Sequence, residues 1–158
     1  MALDWRSAAL AGLAAGIVAT AAEIVLWWVV SQPLPAILYS DARFTAAIVM
    51  GRAVLPPPAA FDVSILLVAT MVHFALSLAY GVTLSAMISR LGTRASLLAG
   101  AGAGLALYAV NMYGFTFVFP WFAAVRDWIT VAAHVVFGVV VAGTYKLVQG
   151  RHPRSPKV

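Results

Sequence analysis

LAGLAAGIVATAAEI, residues 10–24, places two glycines four apart, Gly12 and Gly16, ahead of a lone acid, Glu23, inside an apolar run. A stretch of the same design, LAGAGAGLALYAVNM, returns at residues 98–112. Gly100 and Gly104 take the glycine places there, and Asn111 takes the place of Glu23. The spacing from the glycines to the polar residue is the same in both stretches. The pattern predicts two copies of a membrane hairpin, each keeping one polar group at one depth. Glycines four apart let helices approach closely in lipid. Gly12, Gly16, Gly100 and Gly104 are therefore expected to pack helices, as are Gly81, Gly138 and Gly143 on the other spans.

Composition agrees. The chain is 63% hydrophobic and 9% charged, whereas a soluble domain carries roughly 25% charged residues. Water would meet apolar surface on every side, so the natural solvent is a bilayer. Cysteine is absent, which excludes disulfides, thiolate metal sites and cysteine nucleophiles. The net charge of +5 comes from basic residues at the ends of apolar runs. They form no stripe suited to nucleic acid, and a membrane surface accounts for them better.

Four runs are long enough to cross about 30 Å of hydrocarbon. They lie at about 8–30, 63–88, 95–119 and 128–148. A signal peptide with Ala19-Thr20-Ala21 as its cleavage site is the rival reading of the first. Against it, the run continues through Trp27, Trp28 and Val30, and the lead carries Asp4 as well as Arg6. Between the first two spans, residues 41–55 repeat Phe44, Ile48, Gly51 and Leu55 at helical spacing. This predicts a short amphipathic helix on the membrane surface or over the bundle. The expected fold is an all-α membrane protein, an up-down bundle of four transmembrane helices from two tandem hairpins. Residues 1–148 form one membrane domain, and 149–158 a basic cytoplasmic tail.

Charge sets the expected orientation. One side holds Arg6, Arg90, Arg94, Lys146, Arg151, Arg154 and Lys157 against Asp4. The other holds Arg43, Arg52 and Arg126 against Asp41, Asp62 and Asp127. The excess of Lys and Arg puts both termini in the cytoplasm. Trp27, Trp28, Trp121 and Trp128 then mark the outer interface.

Each span carries one strongly polar residue. Glu23 and Asn111 sit roughly 22 Å from the inner ends of their helices, His73 about 16 Å from the outer end and His134 about 10 Å. All four fall in the outer half of the bilayer, where an ionisable group must face the interior and find a partner. A central cluster of Glu23, His73, Asn111 and His134 is expected, with the histidines facing each other across one diagonal and Glu23 and Asn111 on the other. The plainer alternative is that these groups only lock helices together.

Several short motifs resemble one family. LAGLAAGIVAT (10–20), PLP (33–35), HFALSLAYG (73–81), FPW (119–121) and AHVVFG (133–138) look like the small bacterial inner-membrane proteins of the YagU-like kind. The resemblance implies a four-helix inner-membrane protein loosely linked to acid stress, without catalytic residues to carry over. The long loop after the first span departs from that pattern.

The sequence contains no Ser/His/Asp set, phosphate loop or paired carboxylates, so an enzyme is not expected. Three functions fit. The first is a non-enzymatic accessory subunit or small stress-related factor, working as a homo-oligomer or within a larger membrane complex. The second is a bis-histidine b-type haem protein, with His73 and His134 as axial ligands, or a metal site made from those histidines and Glu23. A depth offset of about 6 Å between the histidines counts against the haem. The third is a small proton-linked transporter acting as a dimer, with Glu23, His73 and His134 changing protonation.

Overall fold

The computed structural model describes residues 3–151, and every regular element in that range is helical. Helix α1 spans Trp5–Val29, α2 Ala36–Met50, α3 Val63–Ile88, α4 Thr93–Ala109 and α5 Trp128–Arg151. A π turn at Val110–Gly114 and a 3₁₀ turn at Phe115–Phe117 carry α4 onward. Four segments are long and apolar enough to cross a membrane: Trp5–Val29, Val63–Ile88, Thr93–Phe117 and Trp128–Gln149.

Aspartates start three of these helices. Asp4 accepts from the backbone N–H of Arg6 and Ser7, and Asp62 from those of Ser64 and Ile65. Asp127 accepts from the Thr130 N–H at 2.9 Å. Each satisfies N–H groups that have no partner within the helix and places negative charge at the positive end of its dipole.

Packing is inverted relative to a soluble protein. The helices bury small residues, including Ala8, Ala11, Ala15, Gly12 and Gly16 on α1. They turn large apolar ones outward: Leu98 is 77% exposed and Met71 72%. In water this surface would be an aggregation hazard. In lipid it faces a solvent of its own kind, while small residues allow backbones to approach. The larger buried side chains, Tyr145, Ile88 and Val141, gather toward one end of the molecule.

Helix α1 packs extensively on both α3 and α5, and α4 on α5. Contacts between α3 and α4 are few, although only the turn at residues 89–92 separates them. The Lys146 ammonium donates to the Ser89 carbonyl at 3.2 Å, so the end of α5 lies beside that turn. At the opposite end the Trp121 indole donates to the Phe44 carbonyl at 3.0 Å, tying the segment after span three to α2.

Several boundaries move from the sequence reading. Helix α1 begins at Trp5 because Asp4 caps it there. The intervening helix occupies 36–50 instead of 41–55. Ile37 and Tyr39 already donate to the carbonyls of Pro33 and Pro35, and Gly51, with φ of 80°, ends it. Its buried face is Ala42, Arg43, Ala46 and Ala47, of which Ala42 and Ala46 pack with Ile65 and Ala69 of α3. Regular α geometry in span three stops at Ala109, short of the expected 119. The first residues of the expected tail continue α5 to Arg151, and the rest of it lies outside the described residues.

Candidate functional site

Two glycine seams position the polar residues. In the first hairpin a Cβ at Gly12 would lie 2.6 Å from the Ser77 carbonyl oxygen, and one at Gly16 would lie 3.1 Å from His73 Nε2. Gly81 in turn meets the Cα of Gly12. The second hairpin repeats this arrangement. A Cβ at Gly100 would lie 2.5 Å from the Gly138 carbonyl and 2.9 Å from the Ala142 Cβ, and Gly104 abuts the His134 backbone. The first helix of each hairpin thus lays its glycines against a histidine and the small residues four and eight positions beyond it. These are His73, Ser77 and Gly81 in one hairpin and His134, Gly138 and Ala142 in the other. Two copies of a hairpin were expected from the pattern on the first helices alone; the second helices carry a matching pattern of their own.

Asn111 and His134 belong to a directed chain of hydrogen bonds. The Tyr80 hydroxyl donates to Asn111 Oδ1 at 2.7 Å. The Asn111 amide lies 3.1 Å from His134 Nε2, and His134 Nδ1 lies 2.8 Å from the Thr130 carbonyl. A carbonyl can only accept, so Nδ1 carries the proton and Nε2 accepts from the amide. All three side chains are satisfied in their neutral forms. The Tyr108 ring stands edge-on to His134, with centroids 5.7 Å apart. Asn111 itself lies in the π turn. Arg126 steadies that irregular end by donating to the Met112 carbonyl at 2.7 Å and to Thr116 at 2.8 Å, and it covers the Tyr113 ring at 4.3 Å.

The first hairpin is looser. His73 Nε2 sits 3.3 Å from both the Gly16 carbonyl and the Thr20 hydroxyl. Thr20 occupies the repeat position of Tyr108, so each histidine touches equivalent places on its hairpin. Glu23, the counterpart of Asn111, makes no hydrogen bond or ion pair among the described residues. Its charged neighbours are two further acids, Asp41 and Asp127.

A cavity of ≈ 170 Å³ brings these groups together. Glu23, His73, Asn111 and His134 all line it, with Thr20, Asp41, Tyr80 and Thr130. The expected pairing across diagonals is different in detail: each histidine bonds within its own hairpin, and the link between hairpins runs from Tyr80 to Asn111. Tyr80 and Asp41 were not among the expected site residues. Tyr80 lies two helical turns after His73, a spacing that places both on one face. For Asp41 no local signal exists, because its contact with the cavity depends on how α2 folds over α3.

Burial and the nearby Asp127 push the Asp41 carboxyl up to about 6. An unfolded aspartate ionises near about 3.9. Between those values the folded state binds more protons, so stability falls as pH rises through that window, and the cost stands in full above it. Asp41→Asn removes the cost. Thermal unfolding should find the variant more stable than the native chain at neutral pH, with the difference vanishing below about pH 4. A pH-independent difference would contradict the assignment.

The residues fit a resident metal or haem poorly as placed. Among the described residues no group of three His, Asp or Glu side chains is disposed to hold a metal ion. Both histidine Nε2 atoms are engaged, one with Asn111 and the other with α1. Axial ligation through them would break those bonds. The cavity is also smaller than the roughly 300–1,000 Å³ of pockets for drug-sized ligands, and a tetrapyrrole needs more.

No family model, curated protein or solved structure matches the chain, so the resemblance to YagU-like proteins stands on its short motifs alone.

Proposed function

We propose that the chain is a non-enzymatic, multi-pass protein of a bacterial inner membrane that acts through a protonatable cavity in the outer half of the bilayer. The observation that carries this reading is the division within the polar cluster. Tyr80, Asn111 and His134 satisfy one another, which suits a lock that fixes the two hairpins in register. Glu23 lines the same cavity without a hydrogen-bond or ion-pair partner among the described residues and near other acids. A carboxyl group inside a membrane protein costs several kcal/mol if charged and unpaired, so it needs a proton or a cation. The excess of basic residues at the end holding Arg6, Arg90, Arg94 and Lys146 supports a cytoplasmic position for both termini. The likeness to proteins loosely linked to acid stress points to the same proton chemistry.

Infrared difference spectra of the purified protein, taken between acid and alkaline pH, test this reading. A carboxyl C=O band should appear on acidification and be lost in Glu23→Gln. If Glu23→Gln leaves the spectrum unchanged, the cavity is a structural lock and nothing more.

A proton-linked transporter working as a dimer is the second reading. The sparse packing between α3 and α4 favours it. At the cavity, Asn111 in the turn that continues α4 bridges to α3 through Tyr80.

A further inference from the structure

The cavity has an electrostatic problem that the described residues do not solve. Glu23 and Asp41 line it together, and neither has a hydrogen-bond or ion-pair partner among the described residues. Asp127 adds a third negative charge nearby. The arginines of that end are committed elsewhere. Arg126 is held by Met112 and Thr116, Arg43 by the carbonyls of Val54 and Ala60, and Arg52 lies toward the Trp121 ring. Uncompensated carboxylates in a confined space call for a cation.

The walls say which kind. A hard metal ion asks for six to eight oxygens, whereas this cavity is largely apolar and aromatic. Tyr80, Phe115, Phe122 and Phe137 line it, and the faces of such rings attract organic ammonium groups. Alkyl groups on a cation lose little on leaving water for such walls, unlike the shell of a metal ion. Size sets the upper limit. A void of ≈ 170 Å³ is close to the roughly 150 Å³ of an engineered cavity that accepts benzene, a molecule of six heavy atoms. We infer that the cavity binds a small alkylammonium ion of about that size, with Glu23 and Asp41 as its counter-charges and the aromatic rings as its cage. The inference rests on the protonatable-cavity reading, since the same carboxyls that hold protons would hold the cation.

Equilibrium binding of radiolabelled tetramethylammonium to the purified full chain in detergent micelles tests it. Saturable binding is expected, with no competition from tert-butanol, a neutral molecule of similar shape. Glu23→Gln should weaken binding at least tenfold, and Asp41→Asn several-fold. Asp41 lies on α2, outside the four spans, so its variant reports even if Glu23→Gln fails to fold. Asp62→Asn, outside the cavity, should bind as the native chain does. Absence of saturable binding, or binding indifferent to Glu23 and Asp41, overturns the inference. If binding is absent while the Glu23 infrared band persists, the alkylammonium site falls and the protonatable cavity stands. If both are absent, both fall.

Discussion

Gly138→Val is expected to break the packed form of the second hairpin, whereas Gly102→Val leaves it intact. A Cβ at Gly138 would run into the carbonyl of Gly100, and it would lie 3.0 Å from the Gly104 backbone nitrogen. Backbone atoms within a helix cannot swing aside as a side chain can, so the two helices must separate. Overpacking of a core costs typically about 1–3 kcal/mol, and this position belongs at the upper end or beyond. Separation also strips α4 from the small-residue face that gives it most of its contact, because van der Waals fit is what associates helices in lipid. Gly102, in contrast, faces open space, with no described residue within 4 Å of where a Cβ would lie. Thermal unfolding followed by size-exclusion chromatography in detergent should show the first variant losing its compact peak at a much lower temperature than the second. Equal behaviour of the two would mean that the seam between α4 and α5 is misplaced.

The second large effect concerns Asn111. Asn111→Leu keeps the volume and deletes the amide that links Tyr80 to His134. Two half-buried polar groups lose their partners, at up to about 1–3 kcal/mol each by the reckoning for fully buried groups in water-soluble proteins. Measured values for hydrogen bonds within membrane proteins are nearer about 0.6 kcal/mol, reaching about 1.7. A total loss of about 1–4 kcal/mol is expected. Tyr80→Phe should cost less, since it removes one end of the chain only. Because both act through the same bonds, the double variant should lose less than the sum of the single losses. Residues in one network are non-additive in this way. Glu23→Gln should lose no comparable stability, as Glu23 breaks no bond on substitution. Additive losses at Tyr80 and Asn111 would show that the chain of bonds is not a unit.

The four long apolar helices were legible in the sequence because the requirement that creates them is local. Each needs about 20 apolar residues in a row, and the runs at 63–88 and 128 onward supply them with an aspartate at the head. The gathering of Glu23, His73, Asn111 and His134 on one cavity was legible from depth alone, since burying a polar group in lipid leaves it few places to turn. The partners were not legible. That Asn111 bonds His134 within its own hairpin, while Tyr80 reaches across, depends on helix rotations that hydropathy does not encode. The π turn that holds Asn111 is equally silent in the sequence. Asp41 was the largest omission. Its place at the start of the expected 41–55 helix gave no hint of the cavity, and only the fold of α2 over α3 brings it there.

The two glycine seams bear on how the molecule is made. Each seam joins helices of the same hairpin, so each hairpin can close on its own contacts as the chain emerges, the first while the second is still in the ribosome. The broad contact between α1 and α5 can form only afterwards, when two finished units meet. The cavity draws its lining from both units, so it does not exist until that last step. Until then Glu23 lacks the rings of Phe115, Phe122 and Phe137 and the charge of Asp127, all of which come with the second unit. A half-made molecule therefore carries the acid without the pocket, and the site matures only when the two hairpins have met.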